Sequence, residues 1–201
     1  MKTRVGGTLL LAAAWIFVAC SGMPRVHYYT LEIPHVSPAK SPEVSFHLTV
    51  QRFHADHVLR DDRILYRERP NELGFYEYHR WTGPPADLVT SYFIHRLKDS
   101  GAYARVSSYK DEPRPDFILQ GRIHRFEEMD RGKEVFASVA LELELSDAST
   151  RQPVWRGEEE CIRPVAGKDV SELVTGIYGC LDETATKLLD RMQKQAGKSR
   201  Q

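Results

Sequence analysis

The fold class of this chain is decided by residues 135–153, which read VFASVALELELSDASTRQP. Every second position from 139 to 145 is Val or Leu, and the residues between them are small or acidic. Because successive side chains of a strand point to opposite faces, this alternation predicts a strand over 135–145 with one buried face. Asp147 to Pro153 is typical of a hairpin turn, so we expect Val154 to Ile162 to pair back as the next strand.

Two helices are predicted on either side of this hairpin. The Pro84-Pro85 pair can open a helix, and apolar residues at helical spacing then continue from Asp87 to the Ser100-Gly101 end. A second amphipathic pattern runs from Val170 to Met192. Shorter apolar or alternating stretches predict further strands at 26–31, 44–50, 64–67, 73–81, 103–107 and from 117 onward.

The order of strands, helix, strands, helix predicts an α+β domain. We expect a mixed, largely antiparallel sheet with the two main helices packed on one face. A chain of 201 residues is long enough for one such domain. We place this domain at 43–193 and a polar tail at 194–201.

The first residues have the layout of a bacterial secretory signal. Lys2 and Arg4 precede an uncharged, mostly apolar run that ends at Ala19 and is too short to span a bilayer comfortably. The junction with Cys20 resembles the lipobox of bacterial lipoproteins, in which this cysteine becomes the acylated N-terminus. The resemblance implies removal of residues 1–19 and lipidation of Cys20.

The expected location and net charge of the mature chain limit the kinds of partner it can bind. Ser21 follows the cysteine, which in bacterial lipoprotein sorting favours the periplasmic face of the outer membrane over the inner membrane. Residues 20–42 contain several prolines and predict a linker between the lipid anchor and the domain. The mature chain would carry 26 basic and 28 acidic residues, so it has no general basic character that would attract nucleic acid.

Cys161 and Cys180 remain for pairing once Cys20 carries lipid. Disulfides persist in compartments outside the cytoplasm, so we expect a bridge between these two cysteines. Such a bridge would contribute about 3 kcal/mol in the chain-entropy model. Two buried free thiols are the alternative, and the pair is weak evidence for a metal site.

A search for catalytic and metal-binding patterns finds no convincing site. The chain has no Gly-rich phosphate loop, no His-Glu-x-x-His and no Gly-x-Ser-x-Gly. His54, Asp56 and His57 could supply metal ligands, but we interpret them as part of a solvated loop, and Glu158 to Glu160 as solvated charge. We therefore predict no catalytic residue, no metal and no cofactor. A Ser, His and Asp set assembled by the fold stays an alternative.

The tract from Arg63 to Trp81 is rich in Tyr and Arg and leads into the proline-opened helix and then into Tyr103-Ala104-Arg105-Val106. Together with the lipobox and the segment Tyr28-Tyr29-Thr30-Leu31, this order resembles the ABC-type transport auxiliary lipoproteins. These proteins accompany MCE-type lipid transport systems, including the paraquat-inducible type. The resemblance covers nearly the whole mature chain.

Candidate docking residues come from this tract, because Tyr, Trp and Arg are enriched at interface hot spots. They are Arg63, Tyr66, Arg67, Tyr76, Tyr78, Arg80 and Trp81. Alternation along 73–81 would place Tyr76, Tyr78 and Arg80 on one face, and His79 and Trp81 on the other. In the alternative interpretation, Tyr66 and Trp81 pack under the first helix and the arginines pair with Asp62 or Asp87.

The resemblance implies a non-enzymatic, lipid-anchored accessory subunit whose partners are an MCE-type protein and ABC transporter subunits. It would help to move phospholipids or other hydrophobic molecules between membranes, and it could also form a homo-oligomer. An anchored periplasmic hydrolase and a structural outer-membrane assembly lipoprotein are the alternatives. A shallow, aromatic-rich surface would favour docking, whereas a deep polar cleft with Ser, His and Asp in hydrogen-bond reach would favour the hydrolase.

Overall fold

The computed structural model describes residues 24–31, 44–109, 114–167 and 169–198. The predicted signal at 1–19 and the predicted acylation site Cys20 lie outside the described residues, as does most of the predicted linker at 20–42.

The described chain contains strands, two long helices and a short 3-10 turn at His57–Leu59. The strands are β1 (His27–Tyr29), β2 (Val44–Val50), β3 (His54–Ala55), β4 (Arg63–Arg69), β5 (Glu72–Trp81), β6 (Tyr103–Ser108), β7 (Phe117–Arg131), β8 (Glu134–Asp147) and β9 (Pro153–Pro164). The helices are α1 (Pro85–Ser100) and α2 (Val170–Lys198).

β7 is the central strand of the sheet. Along one edge it pairs antiparallel with β8, from the Phe117/Asp147 pair to the Arg131/Glu134 pair, and β8 pairs antiparallel with β9. Along its other edge β7 pairs in parallel with β2, β3 and β4 in turn. β2 adds β6 in parallel, whereas β4 adds β5 antiparallel and β5 adds β1 in parallel. The sheet is therefore mixed, and the predicted α+β fold class is confirmed.

α1 begins and ends where the sequence predicts. The Pro84-Pro85 pair stands at its first turn, and Gly101 after its last turn has a φ of 63°, which glycine adopts without a steric penalty. α1 lies against β2, β3 and β6, and α2 lies against β7, β8 and β9. Tyr92 of α1 donates a hydrogen bond of 2.7 Å to Asp182 of α2, so the two helices also contact each other.

α2 is longer than predicted. Its apolar pattern ends near Met192, but the helix continues to Lys198, so residues expected in a polar tail at 194–201 begin inside the helix. Gln193, Lys194 and Gln195 are good helix formers, which favours continuation of the helix past Met192.

An apolar core fills the space between sheet and helices. Its largest fully buried side chains include Trp81, Tyr92, Phe53, Phe93 and Phe126. Gly121 of β7 makes room for one of them, because a Cβ atom at this position would overlap the ring of Phe53. The close approach of a ring to the backbone explains why β7 has glycine at this position.

β5 departs from the alternation predicted for it. Arg80 of β5 pairs with Arg63 of β4, and Phe75 pairs with Leu65. The two pairs are five residues apart on β5 but only two apart on β4, so β5 contains extra residues here. Extra residues in one strand change which side chains share a face. Tyr76 and His79, predicted on opposite faces, therefore contact each other with ring centroids 5.6 Å apart.

A disulfide joins Cys161 of β9 to Cys180 of α2, with their Cα atoms 5.2 Å apart. Both residues are buried, at 6% and 0% exposure. The bridge ties the last strand of the sheet to the helix that covers it.

Candidate docking surface

The seven candidate residues lie on two neighbouring strands. β4 carries Arg63, Tyr66 and Arg67, and β5 carries Tyr76, Tyr78, Arg80 and Trp81. Because β4 and β5 pair antiparallel, the fold brings the whole tract together. Strand alternation nevertheless divides the side chains, since Tyr66 points away from the face that Arg67 occupies.

Two arginines of this tract hold carboxylates, and one of the two also lies over an aromatic ring. Arg63 binds Asp61 at 2.8 Å and lies over the ring of Phe75, with its Cζ atom 4.3 Å from the centroid. Arg80 binds Asp62 at 2.7 Å, as one alternative from the sequence anticipated. These contacts fix both guanidinium groups at the surface, with about a third of each side chain exposed.

Arg67 completes what we call the arginine row (Arg63, Arg67 and Arg80). Its partner is Glu127 of β7, which it binds through two hydrogen bonds of 2.7 and 3.1 Å. Only 2% of the Glu127 side chain is exposed, so this ion pair is largely closed to solvent. Arg67 therefore supports the strand pairing beneath the surface.

The tyrosines take part in a second group, the tyrosine–histidine cluster, which consists of His27, Tyr29, Tyr66, Tyr76 and His79. The His27 and His79 rings stack with centroids 5.2 Å apart, and Tyr29 and His79 share a hydrogen bond of 2.8 Å between Oη and Nδ1. Tyr76 contacts both His79 and Tyr66 edge to face. Burial, and then the neighbouring His27, hold the pKa of His79 below its ordinary value. This favours the neutral ring, whose Nδ1 in the Nε2–H tautomer accepts a hydrogen bond from the Tyr29 hydroxyl.

Tyr76 connects this cluster to a buried carboxyl group. It donates a hydrogen bond of 2.8 Å to Glu128 of β7, a residue with 7% exposure. Burial and this carboxylate raise the pKa of Tyr76 well above its ordinary value, so it stays a donor. Burial also raises the pKa of Glu128, and the neighbouring Asp130 contributes in the same direction.

A cavity of about 340 Å³ opens beside this hydrogen bond. Its polar lining comes from Tyr76, Glu128, Asp130, Lys133, Glu134 and Asp169. Asp169 precedes α2 and accepts hydrogen bonds from the amide and hydroxyl of Ser171, which keep its pKa below the ordinary value. The cavity is thus acidic on balance and has one tyrosine in its wall.

Tyr78 and Trp81 have opposite environments. Tyr78 is 37% exposed, whereas Trp81 is fully buried with its ring 5.1 Å from that of Phe126. Trp81 therefore packs in the core and offers no side-chain surface for docking. Tryptophan is common at interface hot spots, but the Trp81 side chain is completely buried in the core.

His27, Tyr29, His79 and Glu128 were not among the candidate residues. Tyr29 and His79 are 50 positions apart, and β1 brings them together by pairing in parallel with β5. A three-residue strand has too little sequence pattern to reveal its partner. The sequence predicts a strand at 26–31, but its pattern does not indicate which strand it pairs with.

The described residues contain a Ser–His hydrogen bond, between His47 Nε2 and Ser107 Oγ at 2.9 Å. Ser107 is 3% exposed, and its hydroxyl also shares a hydrogen bond with the hydroxyl of Thr49. Asp116 accepts a hydrogen bond from the backbone amide of His47. This arrangement leaves the hydroxyl closed to a substrate and does not favour a hydrolase.

The acidic run Glu158 to Glu160 lies on β9, whereas His54 lies on β3 and His57 in the 3-10 turn. Glu159 binds Arg191 of α2 at 2.7 Å, and Glu160 binds Arg125 of β7 at 2.6 Å. Glu158 and Glu160 are exposed, as expected for solvated charge, and Glu159 and Glu160 also pair with arginines. Across the described parts of the chain, no group of three or more His, Cys, Asp or Glu side chains could hold a metal ion.

Comparisons with known proteins agree with this architecture. A solved structure of a Xanthomonas campestris protein assigned to family DUF330 has a TM-score of 0.76 and 24% identity, and covers 86% of this chain and 98% of its own. An uncharacterized protein of known structure has a TM-score of 0.65 and 13% identity, and covers 83% and 99%. At these identities, the likeness shows the fold alone. A comparison with curated proteins finds no match.

The family comparison is more specific. The model of the ABC-type transport auxiliary lipoprotein component family matches residues 29–188, from Tyr29 of the cluster to Leu188 of α2. The chain belongs to this family, which confirms the resemblance inferred from the sequence. Among the helices that the structure describes, none combines the length and the apolar character needed to cross a bilayer.

Proposed function

We propose that this protein is a non-catalytic accessory subunit of an MCE-type ABC transport system, anchored by lipid at Cys20 to the periplasmic face of the outer membrane. In this role it helps to move phospholipids or other hydrophobic molecules between membranes. The family match over residues 29–188 is the observation that carries the proposal, because the family is defined as an auxiliary component of ABC-type transport. The family is also one of lipoproteins, which supports the anchor.

The surface proposed for the transporter partner is the exposed part of β4 and β5. Tyr78 is 37% exposed there, and Arg63 and Arg80 expose about a third of their side chains. Tyr and Arg combine a large contact area with directional hydrogen bonding, which is the chemistry of interface hot spots. Asp61 and Asp62 already balance the two arginines, so we expect a polar and aromatic partner surface rather than a strongly acidic one.

Crosslinking in living cells tests the partner. A photoreactive amino acid replaces Tyr78 in the full chain, and a matched control places it at Tyr109, which is 66% exposed beyond β6. We expect crosslinks from position 78 to an MCE-type protein or an ABC transporter subunit, and none of these from position 109. Equal crosslinking from both positions, or no transport component at position 78, would contradict the proposed surface.

Membrane fractionation tests the anchor separately. The unsubstituted protein is expected in the outer-membrane fraction with an acylated N-terminus, and a Cys20→Ser variant is expected to lose both the lipid and the membrane retention. Retention of the variant in membranes would contradict the anchor, and recovery in the inner membrane would contradict the assigned location.

A further inference from the structure

The first strand lies very close in sequence to the proposed acylation site. His27 opens β1 and stands seven residues after Cys20. An extended chain spans at most 3.3–3.6 Å per residue, so seven residues reach roughly 25 Å. The lipid anchor therefore cannot lie farther than this from β1.

β1 is part of the folded domain. It pairs with β5 through Tyr28/Arg80 and Tyr29/Trp81, and the amide of Thr82 donates a hydrogen bond of 2.8 Å to the carbonyl of Tyr29. The free tether between lipid and domain thus ends at β1, inside the predicted linker at 20–42 and within the strand predicted at 26–31.

The short tether ends at an exposed, partly apolar edge. β1 is the first strand on the path of the sheet that ends with β6. Tyr28 is 63% exposed and Val26 is 42% exposed, and Arg25 beside them is also exposed. An amphipathic tyrosine, an aliphatic side chain and a guanidinium group together match the chemistry of a membrane–water interface.

We propose that the β1 edge, defined by Arg25, Val26 and Tyr28, rests on the phospholipid bilayer that holds the anchor. This proposal rests on the anchor at Cys20 in the proposed function. The bilayer is the occupant because the seven-residue tether keeps this edge next to it. Tyr28 and Val26 enter the headgroup region and Arg25 meets lipid phosphates. The domain is then held with its β6 end directed away from that membrane.

The test installs the tether chemically, so that it does not depend on acylation in the cell. Mature chain 20–201 is coupled through Cys20 to a maleimide phospholipid in vesicles of phosphatidylethanolamine and phosphatidylglycerol that also contain brominated phospholipid. Cys161 and Cys180 are paired in the disulfide, so the thiol of Cys20 is the one available for coupling. A Tyr28→Trp variant reports on the β1 edge and a Tyr109→Trp variant on the β6 end, each corrected for the emission of the unsubstituted protein.

We expect the added emission of the Tyr28→Trp variant to shift to shorter wavelength and to lose intensity on brominated vesicles. We expect neither change for the Tyr109→Trp variant. Quenching of neither variant would overturn the proposal, as would equal quenching of both or quenching of Tyr109→Trp alone. Acylation of Cys20 in cells, read by mass spectrometry, tests the anchor independently, so failure of the anchor and failure of the edge contact are distinguishable.

Discussion

Arg67 on β4 and Glu127 on β7 form a two-point ion pair beneath the candidate docking surface. The guanidinium donates from Nε at 2.7 Å and from Nη2 at 3.1 Å, one bond to each carboxylate oxygen. Such a planar pair is stronger than a single hydrogen bond and fixes the relative position of its two strands. Since β4 pairs with β7 at these positions, the pair couples the docking strands to the centre of the sheet.

An Arg67→Ala variant should be strongly destabilised. It leaves the carboxylate of Glu127 buried and unpaired, and breaking a buried pair in this way costs about 3–5 kcal/mol. Urea unfolding of the mature chain measures the loss. Arg69→Ala is the matched control, because Arg69 and its partner Glu72 are both more than half exposed, and exposed pairs contribute about 0–1 kcal/mol. Equal losses in the two variants would contradict the structural role of the Arg67 pair.

A Glu128→Gln variant should be more stable than the unsubstituted protein at neutral pH. Burial raises the pKa of Glu128 above its ordinary value of 4.5, so the folded state holds the proton more tightly than the unfolded state does. Stability from this group is therefore full below pH 4.5 and is lost as pH rises through the raised value. Glutamine keeps an acceptor for Tyr76 without a buried charge. The urea midpoint of the variant should lie above that of the unsubstituted protein at neutral pH, and this difference should disappear below pH 4.5.

Asp147 provides a control of opposite sign. Hydrogen bonds from Ser149 and Thr150 lower the pKa of Asp147 to about 2. The folded state thus favours the charged form, and stability from this group is present above the ordinary value of 3.8 and is lost as pH falls toward 2. An Asp147→Ala variant should lose stability at neutral pH. If Glu128→Gln and Asp147→Ala changed stability in the same direction, the assigned environment of Glu128 would be wrong.

The close approach of Phe53 to β7 predicts that a methyl group added at position 121 lowers the stability of the fold. Gly121→Ala should destabilise the domain by about 1–3 kcal/mol, because the added Cβ overlaps a fully buried ring. Gly83→Ala should have little effect, since a Cβ there meets nothing within 4 Å. Thermal unfolding compares the two variants. A Gly121→Ala variant as stable as Gly83→Ala would show that the Phe53 ring can move aside.

Local patterns predicted the elements that local forces determine. The ends of α1 follow from proline and glycine backbone preferences, and the buried face of β8 follows from alternation, with Val139, Leu141, Leu143 and Leu145 all at 0–1% exposure. The hairpin of β8 and β9 was also predictable, because a short turn leaves antiparallel pairing as the simple solution.

The parts that were not predicted depend on contacts distant in sequence. β7 pairs in parallel with β2, β3 and β4, and the sequences of these short strands do not indicate which strand they pair with. The irregular pairing of β5 then moved Tyr76 onto the face of His79, which overturned the simple alternation. The tyrosine–histidine cluster depends on the long-range strand pairing and on the irregularity of β5. The sequence therefore indicated Tyr66 and Tyr76 as candidates but not the residues around them.

Removal of the disulfide should lower stability without changing the fold. A Cys161→Ala/Cys180→Ala variant loses the loop constraint over a separation of 19 residues, which is worth about 3 kcal/mol. Urea unfolding measures the loss. Alkylation of the denatured, unreduced mature chain checks the pairing, because only the thiol of Cys20, where it is not acylated, should react. Labelling of Cys161 and Cys180 under these conditions would show that the bridge is absent.

A Tyr78→Ala variant should weaken the docking interaction without weakening the fold. Tyr78 is 37% exposed, so its removal leaves the core intact and should shift the thermal midpoint little. Truncation of an interface hot spot costs 2 kcal/mol or more, which corresponds to a loss of affinity of about thirtyfold. Affinity for the partner recovered by crosslinking, measured with the purified proteins, checks this value. Tyr109→Ala removes an equally large exposed ring at the β6 end and should leave both affinity and stability unchanged. A Tyr78→Ala variant that bound as tightly as the Tyr109→Ala control would remove Tyr78 from the docking surface.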